Sequence, residues 1–321
     1  GCKSLQQVPE SLKGLLKLKK LNASHCDSLK SILSNVESIT SEYTWQVLLS
    51  FPYEKSSMVY LKDLSIDGQI HVKLLGLNGC AEHISFRSKQ PIPDELLMME
   101  ESTSHQLMSD SKGLHSLNIM NFRYRESSVP FACISFRCFR SVKELKLVNL
   151  NIEEIPDGIF SCQNLEKLDL SGNDFVSLPN AIGDDLRNLK YLSLHNCRRI
   201  KSLPRLSQVK TLILSECVNL RSFMKIHPRE TYCLLELWLD NCKHVRSLSE
   251  SLSVFTTLTY LDLSRHDFVR LPQSIREFSS LATLYLNYCK KLKSVEELPQ
   301  SLKYLYAHGC DSLEKVSLSP N

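Results

Sequence analysis

The sequence predicts an α/β solenoid: a right-handed β/α superhelix bent as a horseshoe, with a parallel sheet on the concave side and short helices or irregular segments on the convex side. Three observations predict it. The spacing Leu165-x-x-Leu168-x-Leu170-x-x-Asn173 returns from Leu189, Val209, Leu234, Leu258, Leu281 and Leu302, at intervals of 24, 20, 25, 24, 23 and 21 residues. Within a copy, alternation makes a short strand that sends Leu168 and Leu170 to one side and Lys167 and Asp169 to the other. A lone strand of this size cannot bury its leucine side, so it needs neighbours of the same kind stacked against it. Together these observations define a leucine-rich repeat.

Taken from the start, Cys2, Leu5 and Val8-Pro9 close one coil, and Leu18, Leu21, Ala23, Cys26, Leu29 and Ile32 build the next. Residues 35–113 are expected to be irregular. Trp45, Phe51 and Tyr53 read as a convex or inserted segment, and a weaker copy of the repeat covers 61–69. Val72-x-x-Leu75-x-Leu77-x-x-Cys80 begins only 11 residues after Leu61, too soon for a full coil, and reads as an extra strand or bulge. Residues 91–112, rich in Glu, Asp and Ser, read as a polar excursion. Regular repeats are expected over 114–318, through weaker copies at 114–122 and 142–150. The expected organisation is one leucine-rich repeat domain over residues 1–321. Because Gly1-Cys2-Lys3-Ser4-Leu5 already reads as mid-repeat, the chain is expected to be a fragment of a longer one.

The slot filled by Asn173 sorts the turns into two kinds. Where it holds Cys, apolar residues follow at +3 and +6, as in Cys197 with Ile200 and Leu203, or Cys289 with Leu292 and Val295. Where it holds another residue they follow at +2 and +5: Asn173 with Phe175 and Leu178, His266 with Phe268 and Leu271, Leu150 with Ile152 and Ile155. His266 is therefore a structural occupant. Ile155-Pro156, Leu178-Pro179, Leu203-Pro204 and Leu271-Pro272 place proline where the chain leaves the turn, a site that needs no ladder N–H. Residues 157–162, 180–186 and 273–278 then read as single helical turns.

Composition excludes several classes of function. A hydrophobic content of 42% and a charged content of 23% are ordinary for a soluble protein, and no apolar run approaches a membrane span. Net charge +4, with Lys and Arg dispersed, gives no nucleic-acid footprint. Of the twelve cysteines, Cys2, Cys26, Cys197, Cys217, Cys242, Cys289 and Cys310 sit in the inward slot, which favours reduced buried thiols over disulfides. No C-x-x-C pair supports zinc, and no phosphate loop, H-E-x-x-H or G-x-S-x-G is present. The chain reads as non-enzymatic, without cofactor, metal or membrane.

The outward strand positions carry the functional expectation. Early strands show Lys20, Asp63, Glu144, Lys146, Lys167 and Asp169 there, as a solvated sheet should. Later ones show Tyr191, Trp238, Tyr260, Tyr285, Tyr304 and Tyr306, with Tyr288 just beyond. With strands about 4.8 Å apart these rings form one band across roughly six strands. Such a band is a protein-binding surface, since Trp and Tyr dominate binding hot spots; the bland alternatives are cross-strand stacking that supports the sheet, or cover by another part of the chain. Asp240, Asp262, His195, Arg265 and Asn287 are expected to supply its polar rim.

The run from Leu168 to Pro179, its near copy from Leu261 to Pro272, the Cys-x-x-Leu-x-Ser-Leu/Val turns, and Leu298-Pro299-Gln300-Ser301-Leu302-Lys303-Tyr304-Leu305 with Gly309-Cys310-Asp311-Ser312-Leu313 resemble the leucine-rich repeats of plant intracellular immune receptors. The similarity is greatest to the class with an N-terminal TIR domain, the disease resistance proteins. That resemblance implies a sensor, cytoplasmic or nuclear, whose repeats recognise a pathogen effector or a guarded host protein and restrain an adjoining nucleotide-binding module. It implies that ADP binding and NAD cleavage belong to domains upstream, and it leaves room for oligomerisation of the parent chain on activation. A leucine-rich repeat scaffold, or the substrate-binding module of another intracellular complex, is the alternative. An ectodomain is disfavoured, since Asn22-Ala23-Ser24 is the lone glycosylation sequon and no Cys-rich cap is seen.

Overall fold

The computed structural model describes residues 20–23, 46–48, 63–67, 71–73, 83–88, 116–121, 141–155, 157–222, 232–244, 252 and 254–318. Its strands, in chain order, are β1 (Lys20–Ala23), β2 (Gln46–Leu48), β3 (Asp63–Asp67), β4 (His71–Lys73), β5 (His83–Ser88), β6 (Ser116–Asn121) and β7 (Glu144–Val148), then β8 (Lys167–Asp169), β9 (Tyr191–Ser193), β10 (Thr211–Ile213), β11 (Glu236–Trp238), β12 (Tyr260–Asp262), β13 (Thr283–Tyr285), β14 (Ser294–Leu298), β15 (Tyr304–Tyr306) and β16 (Lys315–Leu318). The chain divides into two compact units, Gly1–Glu166 and Lys167–Asn321.

In the first unit β1, β3, β5, β6 and β7 pair in that order, all parallel. Of these strands, β3 lies on the weaker repeat copy expected over 61–69, whereas β5 adds a regular strand where irregular structure was expected. The coil after Leu61 runs through His83–Ser88, with Ile84 opposite Leu64 and Leu117, and Phe86 opposite Ile66 and Ile119. Val72 lies instead on β4, which pairs only with β2 in a separate two-stranded sheet. Trp45, Phe51, Tyr53, Cys80, the coil of residues 1–19 and the polar excursion at 91–112 lie outside the described residues.

In the second unit β8, β9, β10, β11, β12, β13 and β15 pair in order, again all parallel. Register is exact on the central leucine: Leu168, Leu192, Leu212, Leu237, Leu261, Leu284 and Leu305 stand opposite one another. From Leu168 to Leu284 this row is fully buried, and so is the second row from Leu170 to Leu286. Each such side chain contributes roughly 1.5–3 kcal/mol by leaving water. In the last described coil, Leu302, Leu305 and Leu313 are half-buried.

The slot residues form a second internal ladder. The thiols of Cys197, Cys217, Cys242, Cys289 and Cys310 donate to the carbonyls of Leu170, Leu194, Leu214, Leu263 and Leu286, the second strand leucine of the coil before. His266 Nε2 makes the same bond to Leu239 O at 2.9 Å. Burial pushes the Cys197 and Cys242 thiols up to about 12, so they remain protonated donors. Asn173 Nδ2 donates to Leu170 O at 2.8 Å.

Before each slot the chain must swing away from the strand, and it does so through the left-handed region. Asn149, Gly172, Asn196, Glu216, Asn241, Arg265, Tyr288 and Gly309 have φ between 55° and 71°. Asn and Gly adopt this conformation readily, whereas Glu216, Arg265 and Tyr288 are held there against preference. Gly309 has a further reason: a Cβ on it would come within 2.7 Å of the Tyr288 ring.

The outer side agrees with the proline reading. Asp157–Ser161 and Gln273–Glu277 are 3-10 turns, and Ala181–Asp184 is one short α-helix. The inward residues of both turn types are buried, Phe175 and Leu178 after Asn173 and Ile200 and Leu203 after Cys197. Parallel bridges link Ser177, Ser202 and Ser222, just before the outer segments.

Candidate functional site

Register decides which outward side chains meet. One row of the sheet face runs Lys167, Tyr191, Thr211, Glu236, Tyr260, Thr283, Tyr304; the next runs Asp169, Ser193, Ile213, Trp238, Asp262, Tyr285, Tyr306. The aromatic residues thus occupy two rows. Trp238, Tyr285 and Tyr306 share the second, and Asp262 stands between the first two of them. Tyr260 closes that gap from the neighbouring row. Its ring stacks on Trp238 at 4.6 Å and meets Tyr285 at 5.3 Å, and Tyr285 stacks on Tyr306 at 4.3 Å.

The result is a continuous chain of four rings over β11, β12, β13 and β15. It is shorter than the six-strand band expected from spacing, because β10 presents Thr211 and Ile213. Tyr191, half-buried on β9, lies on the far side of that interruption. Tyr304 is 57% exposed beside Thr283, and Tyr306 is 44% exposed at the end of the chain of rings. Tyr288 is 51% exposed on its left-handed turn and meets His308 edge-on at 5.6 Å.

The expected polar rim is in part not a rim. Asp240 and Asp262 are only 7% and 8% exposed: Asp262 stands between Trp238 and Tyr285 in the register, and Asp240 is held by Arg265 on the turn. Asp262 Oδ1 accepts the Ser264 N–H at 2.9 Å; burial raises the carboxyl above its ordinary value, opposed by the bonds from Ser264. Asp240 accepts from Arg265, whose Nη1 also lies 2.9 Å from Glu216 Oε1. His195 is exposed on the turn after β9, and its carbonyl accepts the Gly172 N–H at 2.8 Å. Asn287 is half-buried; its Oδ1 accepts the His308 N–H at 2.9 Å, so it braces the turn from within.

Two residues belong to this face that the aromatic pattern did not single out. Glu236 is the register partner of Tyr260, and Glu216 shares Arg265 with Asp240 while accepting Asn241 Nδ2 at 2.6 Å. Glu236 was legible, since it holds the outward position that marked Tyr260. Burial pushes the Tyr260 phenol above its ordinary value, and the charge of Asp262, with those of Glu236 and Asp240, pushes it the same way. Negative potential therefore converges on the middle of the ring chain. Among the described residues no group of His, Cys, Asp and Glu is placed to hold a metal, and no helix is long and apolar enough to cross a membrane.

Residues 140–198 match a family model described as a leucine-rich repeat. The disease resistance protein RPS4B of Arabidopsis thaliana is 37% identical over 183 residues, covering 55% of this chain. The disease resistance protein RPP4 of the same plant is 26% identical over 342 residues, covering 98% of it. The chain is a leucine-rich repeat solenoid, similar over nearly its whole length to plant disease resistance proteins. This leucine-rich repeat domain spans 15% of the length of the first relative and 28% of the second. Among solved structures, an internalin from Listeria monocytogenes superposes with a TM-score of 0.45 at 15% identity, over 70% of this chain and 67% of that one.

Proposed function

We propose that this leucine-rich repeat domain is the recognition module of an intracellular plant immune receptor. Its ring-bearing face contacts a pathogen effector, directly or through a guarded host protein, and until then the domain restrains the adjoining nucleotide-binding switch of the parent chain. One observation carries the reading: Trp238, Tyr260, Tyr285 and Tyr306 form a stacked, part-exposed chain of rings on a sheet face whose core makes no demand for aromatic residues. Part-exposed Trp and Tyr held rigid by one another supply contact area at low entropy cost, which is what hot spots need. The kinship with disease resistance proteins supports the immune setting. Binding here is the whole contribution; nucleotide exchange and NAD cleavage belong to the TIR and nucleotide-binding domains that the resemblance implies.

Co-purification of the intact receptor with candidate effectors tests this. The triple variant Trp238→Ala, Tyr285→Ala, Tyr306→Ala should lose the captured protein while keeping cooperative unfolding; undiminished capture would refute the reading.

A further inference from the structure

The face around Tyr260 carries a charge opposite to that of the chain. The whole sequence has net charge +4, yet the outward strand positions of β10, β11 and β12 and the first turn residues after them hold Glu216, Glu236, Asp240 and Asp262 beside the cation Arg265. The register makes a checkerboard of part of this patch. Glu236 stands opposite Tyr260 and Trp238 opposite Asp262, so the stacked rings occupy one diagonal and the carboxylates the other.

This patch already binds one guanidinium, since Arg265 bridges Glu216 and Asp240. The remaining carboxylates are not so served. Among the described residues neither Glu236 nor Asp262 has an ion-pair partner. Glu236 receives only the Thr211 hydroxyl at 3.4 Å, and Asp262 receives the Ser264 N–H.

We propose that Glu236, Trp238, Tyr260 and Asp262 form the subsite for an arginine side chain of the protein that this face recognises. The inference rests on the recognition reading above and names the partner's chemistry. A guanidinium suits the site on three counts. It is planar and lies against aromatic rings, its weak hydration lowers the cost of entering a half-buried place, and its fork matches two carboxylates. The excess of negative charge steers a basic segment toward the face and repels nucleic acid or an acidic segment.

The test uses the purified 321-residue chain with Trp45→Phe, so that indole emission reports on Trp238 alone, titrated with tetra-arginine amide and, at matched ionic strength, tetra-glutamate. Tetra-arginine should shift the emission saturably and tetra-glutamate should not. Glu236→Gln should weaken tetra-arginine at least tenfold with an unchanged melting temperature. If that variant does not fold, Glu236→Thr replaces it, since Thr211 and Thr283 hold the same row. Equal binding of both peptides, or undiminished binding by the neutral variant, overturns the proposal. Capture of the cognate protein separates the two claims. Loss with Tyr285→Ala but not with Glu236→Gln overturns the arginine subsite and leaves the recognition face standing; loss with neither overturns both.

Discussion

Strands β8, β9 and β10 and strands β11, β12, β13 and β15 share one interior and show different exteriors. Beneath both, the central leucines from Leu168 to Leu284 are fully buried and in register. Above, the first set presents Lys167, Asp169, Tyr191, Ser193, Thr211 and Ile213, whereas the second presents the linked rings and the carboxylates between them. Because the first set folds without such a surface, the surface of the second is not what the coil requires.

That comparison breaks most sharply inside. Leu237→Ala and Leu192→Ala, one beneath each exterior, should each cost about 2–5 kcal/mol in chemical denaturation; if the interior is shared, the two losses agree. Next in size is Gly183→Ala. A Cβ there would fall 1.9 Å from the Arg205 carbonyl oxygen of the following coil, so the backbone must move. The expected loss is about 1–3 kcal/mol, and it should be felt where Ala181–Asp184 packs rather than on the sheet face. Tyr285→Ala removes two ring contacts on the exterior and should cost about 1 kcal/mol for each. A loss as large as that of Leu237→Ala would show that the rings support the sheet after all.

The smallest expected effect concerns the slot. Burial holds the His266 imidazole below its ordinary value of 6.5, with the bond to Leu239 opposing. The unfolded chain then takes up a proton that the folded chain resists, so stability should fall as pH drops below about 6.5. In His266→Cys, which installs the slot's commonest occupant, the melting temperature should vary less between pH 7.5 and 5.

How much of this was legible follows the same division. The leucine rows were read directly, because burial on one side of a three-residue strand leaves no freedom in the spacing. The exception is β5, where Ile84 and Phe86 replace the leucines and the imitation from Val72 to Cys80 lies just before it. The slot was legible as a position, though its bond to the preceding coil was not, since a thiol in sequence does not show which carbonyl it will meet. Left-handed turns at Glu216, Arg265 and Tyr288 contradict the local preference of those residues, so only the stacking of coils imposes them. On the exterior the aromatic residues were found but their rows were not. Whether Asp262 stands as rim or floor depends on the height of the rings beside it, which is a property of register.

Hydroxyl-radical footprinting of the intact receptor, with and without its bound cognate protein, tests the central claim most directly. Trp238, Tyr260, Tyr285 and Tyr306 should be labelled in the free receptor and protected together in the complex, while Tyr191, beyond β10, is labelled alike in both. Equal labelling of the four rings in the two states would contradict the account.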